Sequence, residues 1–201
     1  MCDHIERRGV FPLGHLAFAY LSYVAAATLT RRPLPASWPL VPLAFGSQLP
    51  DLIDKPLAYY GVIVSGRSAA HSLLAAGVFI ALVTVVAQRM RRRTDSDHVL
   101  GRIGAVTPLA FAIGYLSHLV GDSVQPVLAG NYADIGFLLW PLIEAPRYAG
   151  DNVAPWIRLL EMYMQPLTHP NIPVIVTAAV MFVALRVWAA AAADFTVRGP
   201  H

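Results

Sequence analysis

The sequence predicts an all-α protein, a polytopic membrane helical bundle that forms a single integral membrane domain over residues 1–201. Hydrophobic residues make up 56% of the chain and charged residues only 13%, whereas a soluble domain carries roughly 25% charged residues. Apolar stretches of nearly membrane-spanning length recur along the whole chain. The single cysteine, Cys2, excludes a disulfide framework and a zinc site built from cysteines.

The apolar stretches predict about five membrane helices, one of them short. They cover residues 11–29, 38–53, 69–88, 103–124 and 171–193. The second is short for a full crossing and is rich in proline. Pro50 predicts a helix break or a new helix start near residue 50, because the residue before a proline avoids the α conformation. We therefore expect residues 55–68 to form a loop or a short interfacial segment.

Residues 125–170 are predicted to form a mostly extramembrane connection. Within it, residues 135–145 are predicted to lie at the membrane interface. Residues 156–164 are predicted to form a short amphipathic helix, because tryptophan and tyrosine favour the boundary between lipid and water.

The net charge of +3 is read as loop charge that orients a membrane protein. No basic stripe alternates with aromatic residues, so we expect membrane lipid and no nucleic acid as a partner. The arginine-rich connector at 89–102 predicts a cytoplasmic loop of a multi-pass protein in the cell membrane. Arg7 and Arg8 would then lie on the outer side, which counts against this orientation.

Six polar residues stand at the ends of four of the apolar stretches: His15, Asp51, Asp54, His71, His118 and Asp122. His118 and Asp122 are four residues apart, which places both side chains on one face of a helix. In the orientation above all six lie near the extracytoplasmic face, and reversing the protein moves them together. Imidazoles and carboxylates suit zinc, manganese or iron. The set therefore predicts a divalent metal site, with zinc as the first choice.

Simpler interpretations remain open for each residue. His118 and Asp122 would also form a buried hydrogen bond that only fixes helix packing. Asp51 and Asp54 would also be ordinary residues at a helix start after proline. Arg67 is a candidate anchor for a substrate phosphate or carboxylate, and equally an interfacial charge that faces lipid phosphates.

Four segments of the sequence resemble the YdjM-like family of membrane-bound metal-dependent hydrolases, in particular its haloarchaeal members. They are residues 14–16, 46–56, 66–72 and 114–122, and beyond residue 126 the similarity is limited to hydropathy and to residues 138–141. The resemblance implies a multi-span helical bundle with a His/Asp metal site. The family pattern has a histidine where this chain has Gly66, and its second aspartate one residue before Asp54, so Asp51 is the better-matched ligand.

The order and spacing of these residues is also similar, more distantly, to the zinc-dependent phospholipase C and single-strand nuclease superfamily. That similarity implies a metal cluster that cleaves phosphate esters. The residues that match its ligands are His15, Asp51, His71, His118 and Asp122. The further histidine and the second His-x-x-x-acid pair of that superfamily have no counterpart in this chain.

Together these features lead to the hypothesis of a membrane-embedded hydrolase that uses a metal-activated water on a phosphate ester of a lipid or lipid-linked substrate. Asp51 would bridge metals or act as a base, Asp54 would be the general base, and Arg67 would bind substrate. One alternative is a non-catalytic protein with a structural metal site. A second is an ion-coupled transporter, which would place polar residues at mid-depth and contain inverted repeats.

Overall fold

The computed structural model describes residues 12–31, 38–93, 99–164 and 171–197. Within these ranges the chain is helical, with no strand and with six α-helices and two 3₁₀ segments. The α-helices are α1 (Pro12–Leu29), α2 (Leu40–Tyr59), α3 (Leu73–Arg93), α4 (Val99–Leu128), α5 (Pro155–Met164) and α6 (Ile172–Val197), and the 3₁₀ segments are Tyr132–Leu139 and Ala149–Asn152. The predicted all-α membrane bundle is confirmed.

Helix α4 is the centre of the bundle. It contacts α1, α2, α3 and the first 3₁₀ segment, and its contact with α2 is the most extensive in the described chain. Small residues allow this close approach. A Cβ added to Gly46 of α2 would lie 2.5 Å from the Phe111 carbonyl oxygen, and one added to Gly114 of α4 would lie 2.3 Å from the Leu43 carbonyl oxygen. The two backbones therefore touch at a pair of glycines.

Three helices in the described chain are long and apolar enough to cross a membrane: Pro12–Leu29, Leu73–Arg93 and Ile172–Ala191. The last two leave most of their side chains exposed, as expected where lipid is the neighbour. α2 and α4 are not among these three. They carry the buried aspartates Asp51, Asp54 and Asp122, and they pack chiefly against each other.

The predicted break at Pro50 is wrong. Helix α2 continues through Pro50 and Pro56 and ends at Tyr59, so residues 55–59 are helical and not part of a loop. Proline is tolerated inside membrane helices where neighbouring groups satisfy the backbone. Close to Pro50, three residues earlier in α2, the Ser47 carbonyl accepts a hydrogen bond from His118 of α4, which ties this part of the helix to its neighbour.

Helices α2 and α4 both end at a glycine with a positive φ. At the end of α2, Gly61 has a φ of 71°, and the N–H of Val62 bonds to the Leu57 carbonyl at 2.8 Å. At the end of α4, Gly130 has a φ of 69°, and the N–H of Asn131 bonds to the Pro126 carbonyl at 2.9 Å. This left-handed cap is a strong stop signal.

The predicted connection at 125–170 is helical at both ends of its described part. Residues up to Leu128 belong to α4, and the predicted interfacial piece overlaps the 3₁₀ segment Tyr132–Leu139. The predicted amphipathic helix at 156–164 is present as α5. It attaches to the end of α2, since the rings of Trp156 and Tyr59 meet edge to face at 5.4 Å. Arg7 and Arg8, and residues 165–170, lie outside the described residues.

Candidate metal centre

The end of α2 carries two aspartates that point to different neighbours. Asp51 Oδ2 accepts a hydrogen bond from Lys55 Nζ at 2.5 Å, one helical turn later. Its other oxygen, Oδ1, is buried and has no hydrogen-bond partner. Asp54 is fully buried and faces the loop that precedes α3. The continuation of α2 beyond Pro50 makes this division possible, because it places Lys55 above Asp51.

Asp54 organises the loop between α2 and α3. Its carboxylate accepts hydrogen bonds from the N–H groups of Ser68 at 2.9 Å, Ala70 at 2.9 Å and His71 at 3.2 Å. It also lies 2.8 Å from His71 Nδ1. Because a carboxylate only accepts, Nδ1 carries a proton, and in the neutral imidazole Nε2 then presents its lone pair to the opposite side. An aspartate that fixes a histidine in this way is typical of the support behind a metal ligand.

His118 is fixed in the same manner by a backbone group. Its Nδ1 donates to the Ser47 carbonyl of α2 at 2.7 Å. Its Nε2 therefore also presents a lone pair, and it lies 3.1 Å from His71 Nε2. Two lone pairs at this distance repel each other unless a cation lies between them, either a proton or a metal ion.

Four side chains bring one donor atom each into a common space. These donors belong to Asp51, His71, His118 and Asp122 and lie within 4.8 Å of one another. Asp51 Oδ1 is 3.4 Å from His71 Nε2 and 3.7 Å from His118 Nε2. Asp122 Oδ2 is 3.4 Å and 3.6 Å from the same two nitrogens. We call these four residues the metal-donor group.

The spacing of the metal-donor group fits a small divalent ion. Tetrahedral zinc with bonds of about 2.0–2.1 Å holds its ligand atoms about 3.3–3.4 Å apart. The five nitrogen–nitrogen and nitrogen–oxygen separations given above run from 3.1 to 3.7 Å. Asp51 Oδ1 and Asp122 Oδ2 are both buried without a hydrogen bond. Such unsatisfied oxygens are costly in a protein interior, and a bound cation would satisfy them.

His15 lies beside the metal-donor group and not within it. Its ring stacks on that of His118, with centroids 3.8 Å apart and an angle of 22° between the planes. Its Nε2 is 3.6 Å from Asp122 Oδ1, and its Nδ1 is buried without a hydrogen-bond partner. The structure therefore brings all six predicted polar residues together, but it gives four of them an inward-facing donor and places Asp54 behind His71.

Arg67, which is not a member of the metal-donor group, forms an ion pair with Asp122. Its Nε is 3.0 Å from Oδ2, and its Nη2 donates to Oδ1 at 3.0 Å. The guanidinium also lies over the ring of Tyr148, 5.0 Å from the ring centroid. Burial alone would lower the pKa of Arg67, but the Asp122 carboxylate and Tyr148 outweigh it and raise that pKa. Arg67 is thus a fixed cation of the site.

His71, in the loop between α2 and α3, shows how strongly the surrounding aspartates attract positive charge. Burial alone would lower the pKa of His71, but the nearby carboxylates of Asp122, Asp51 and Asp54 outweigh it and raise that pKa to about 10. A proton on His71 and a metal ion in the metal-donor group would compete for the same electrostatic environment.

The connection after α4 folds back over the site. Phe137 is fully buried and presents its ring edge-on to that of His71, with centroids 6.0 Å apart. Tyr148 covers Arg67 as described, and its hydroxyl donates to the Asp134 carbonyl at 3.3 Å. These contacts shield one side of the cluster from solvent.

Sequence reasoning missed Lys55 and Tyr148. Lys55 stands four residues after Asp51, which would have been a signal if residues 51–55 had been read as helix. Tyr148 lies in an irregular segment far from the motifs, and no local pattern links it to Arg67.

The fold and the site define this chain as an all-helical membrane protein with a buried His/Asp cluster suited to a metal ion. The family model of the YdjM inner membrane protein matches residues 11–195. The chain therefore belongs to the YdjM inner membrane protein family, and the match extends through the last third of the chain, beyond the motifs recognised above. No curated protein and no solved structure gives a significant match.

Proposed function

We propose that this protein is a membrane-embedded, metal-dependent hydrolase that acts on a phosphate ester of a lipid or lipid-linked substrate. One observation carries the proposal: two histidines, each fixed through Nδ1, face each other through Nε2 at 3.1 Å between two buried carboxylate oxygens. The cluster is arranged for a cation, and its donor types suit zinc or manganese.

The metal-donor group would hold the ion, and His15 is a proposed further donor. When bound, a divalent ion lowers the pKa of a water molecule and polarises the group that is attacked. Asp54 would orient His71 and would not act as the general base, because its oxygens are already occupied by the loop. Asp51 is a better candidate for a base than Asp54, since its side chain is 10% exposed, whereas the other three donors are at most 2% exposed.

The choice of a phosphate ester rests on three supports. The two cations Lys55 and Arg67 flank the carboxylates. The helices that carry the site pack against helices long enough to cross a membrane, so lipid headgroups are the nearest substrates. The order of the ligand residues is similar to that of zinc-dependent phospholipases. We place the site on the extracytoplasmic side, because Arg91, Arg92 and Arg93 end α3 on the opposite side from His71.

A structural metal site is the second candidate, and the geometry favours it in one respect. Four protein donors at tetrahedral spacing would complete the coordination of zinc, whereas catalytic zinc usually has three protein ligands and an open position. The donor types favour catalysis, however, since structural zinc sites are built from cysteines alone or from cysteines with histidine.

The experiment is metal analysis followed by an activity assay on purified protein. The wild type should contain stoichiometric metal and should release phosphate from phosphatidic acid in nanodiscs. Asp122→Ala and His118→Ala should lose both, and Glu161→Gln, which changes an exposed carboxylate on α5, should keep both. A metal-free wild type would refute the metal centre. A wild type that holds metal in a fully protein-coordinated site, and hydrolyses no phosphate ester, would favour the structural role.

A further inference from the structure

Two cations of the site have no role in the metal-donor group itself. Lys55 holds the outer oxygen of Asp51, and Arg67 holds Asp122 through two nitrogens. Their side chains are 30% and 20% exposed, whereas the carboxylates they bind are 10% and 2% exposed. Lys55 and Arg67 are therefore the parts of this cluster that an approaching molecule meets.

The two cations lie on the same rim. Lys55 Cγ is 3.7 Å from the position that a Cβ on Gly66 would occupy, and Arg67 is the next residue in the chain. A side chain at residue 66 would crowd this space, so the glycine allows the neighbouring side chains to approach the backbone closely. One carboxylate also borders the rim: Asp151 Oδ1 lies 2.7 Å from the same Cβ position, and its Oδ2 accepts from the N–H of Tyr148.

A bound divalent ion would change the charge of the site and its rim. With neutral histidines, the four carboxylates of Asp51, Asp54, Asp122 and Asp151 exceed the two cations by two negative charges. A divalent ion would bring this sum to zero and so remove the net negative charge that repels an anion. Both cations also keep donors that are not used on the carboxylates, because an ammonium has three N–H groups and a guanidinium five.

We propose that Lys55 and Arg67 form an anion subsite at the rim of the loaded metal centre, which takes the phosphate group of the substrate. The proposal rests on the proposed metal centre. In this proposal Lys55, which is not a member of the metal-donor group, is a substrate-binding residue. An Asp–Lys pair one turn apart is common on helices. This pair differs from an ordinary one because the second oxygen of Asp51, Oδ1, faces the donor atoms of His71 and His118.

The test measures the binding of inorganic phosphate to metal-loaded protein by calorimetry, with metal content determined in the same samples. Lys55→Gln should keep its metal and bind phosphate about tenfold more weakly or worse, because it loses a charged donor. Lys55→Arg should restore most of the binding. Arg91→Gln, which removes an exposed cation from the far end of α3, should bind phosphate as the wild type does.

The source of the phosphate is tested in nanodiscs. Phosphatidic acid in the bilayer should compete with inorganic phosphate if a lipid headgroup reaches the rim. Phosphatidylcholine alone should not. Competition assigns the subsite to a lipid phosphate, and its absence assigns it to a free phosphate; either result supports an anion subsite.

Three results would overturn the inference. If Lys55→Gln keeps both its metal and full phosphate affinity, Lys55 makes no substrate contact. If Lys55→Gln loses its metal, Lys55 is a positioning residue for Asp51. If the wild type holds metal and binds no phosphate, the subsite is refuted and the metal centre remains. A wild type without metal would instead remove the proposed function and the subsite together.

Discussion

The contact between α2 and α4 gives a sharp prediction, because the metal centre depends on it. In Gly114→Ala, the new Cβ would lie 2.3 Å from the Leu43 carbonyl oxygen and 3.0 Å from the Ser47 nitrogen. Both atoms belong to the backbone of α2, so no side chain can rotate away. To reach an ordinary contact of 3.4 Å, the two helices must separate by about 1 Å.

This separation has two expected effects. Overpacking of this kind costs about 1–3 kcal/mol, which for a chain of this size lowers Tm by about 2–12 °C. The second effect is on the site. His118 Nδ1 donates to the Ser47 carbonyl across the same helix pair at 2.7 Å, and a shift of about 1 Å would lengthen that bond beyond hydrogen-bond range. Loss of such a supporting contact typically weakens metal binding about 10–100-fold.

The assay is thermal unfolding in detergent together with competition against a chromophoric chelator. The matched control is Gly77→Ala on α3, where a Cβ would meet nothing within 4 Å. Gly77→Ala should keep the wild-type metal affinity and at least the wild-type Tm, since alanine is the better helix former. If Gly114→Ala matched Gly77→Ala in both Tm and metal affinity, the inferred backbone contact would be wrong.

Three further predictions follow from the site and from the topology. Asp54→Asn should weaken metal binding about 10–100-fold, because it removes the charge behind His71, and chelator competition measures this. Removing the metal with a chelator should lower the free energy of unfolding by about 2.7 kcal/mol at a metal concentration 100 times Kd, and a thermal melt with and without chelator shows whether it does. In a chain without its native cysteine, Tyr60→Cys should react with a membrane-impermeant maleimide in intact cells and Arg91→Cys should not; the reverse pattern would place the site on the cytoplasmic side.

Much of the fold could be predicted from the sequence, because a helix that crosses a lipid bilayer needs an apolar stretch of about 20 residues. Apolar length alone located α1, α3 and α6 to within a few residues at the ends that the structure describes. The errors fall on α2, where Pro50 reads locally as a break. Whether a proline ends a helix depends on what surrounds the freed backbone, and that is a tertiary property which no local pattern records.

The site could be predicted in composition but not in detail. Histidines and aspartates at the ends of apolar runs are expected to gather at one membrane face, and the structure brings the donor atoms of four of them within 4.8 Å of one another. The spacing in the sequence does not tell which of these residues offers an atom to the metal and which one only holds a ligand in place. Asp51 and Asp54 are three residues apart on one helix, yet Asp51 Oδ1 faces the histidines and Asp54 faces the loop. That difference arises because the loop folds back on α2, which brings the N–H groups of Ser68 and Ala70 to Asp54.

The pairing of each acidic donor with a protein cation explains how this cluster can be built before a metal arrives. An isolated buried carboxylate is costly by several kcal/mol. Lys55 holds the outer oxygen of Asp51, while Oδ1 of Asp51 faces the histidines. Arg67 contacts both oxygens of Asp122, and Oδ2 of Asp122 also lies 3.4 Å from His71 Nε2. The helices around the site are also packed through small residues that need no ion. For both reasons we expect the chelated protein to remain folded with a lower Tm, unlike small zinc domains that unfold without their metal.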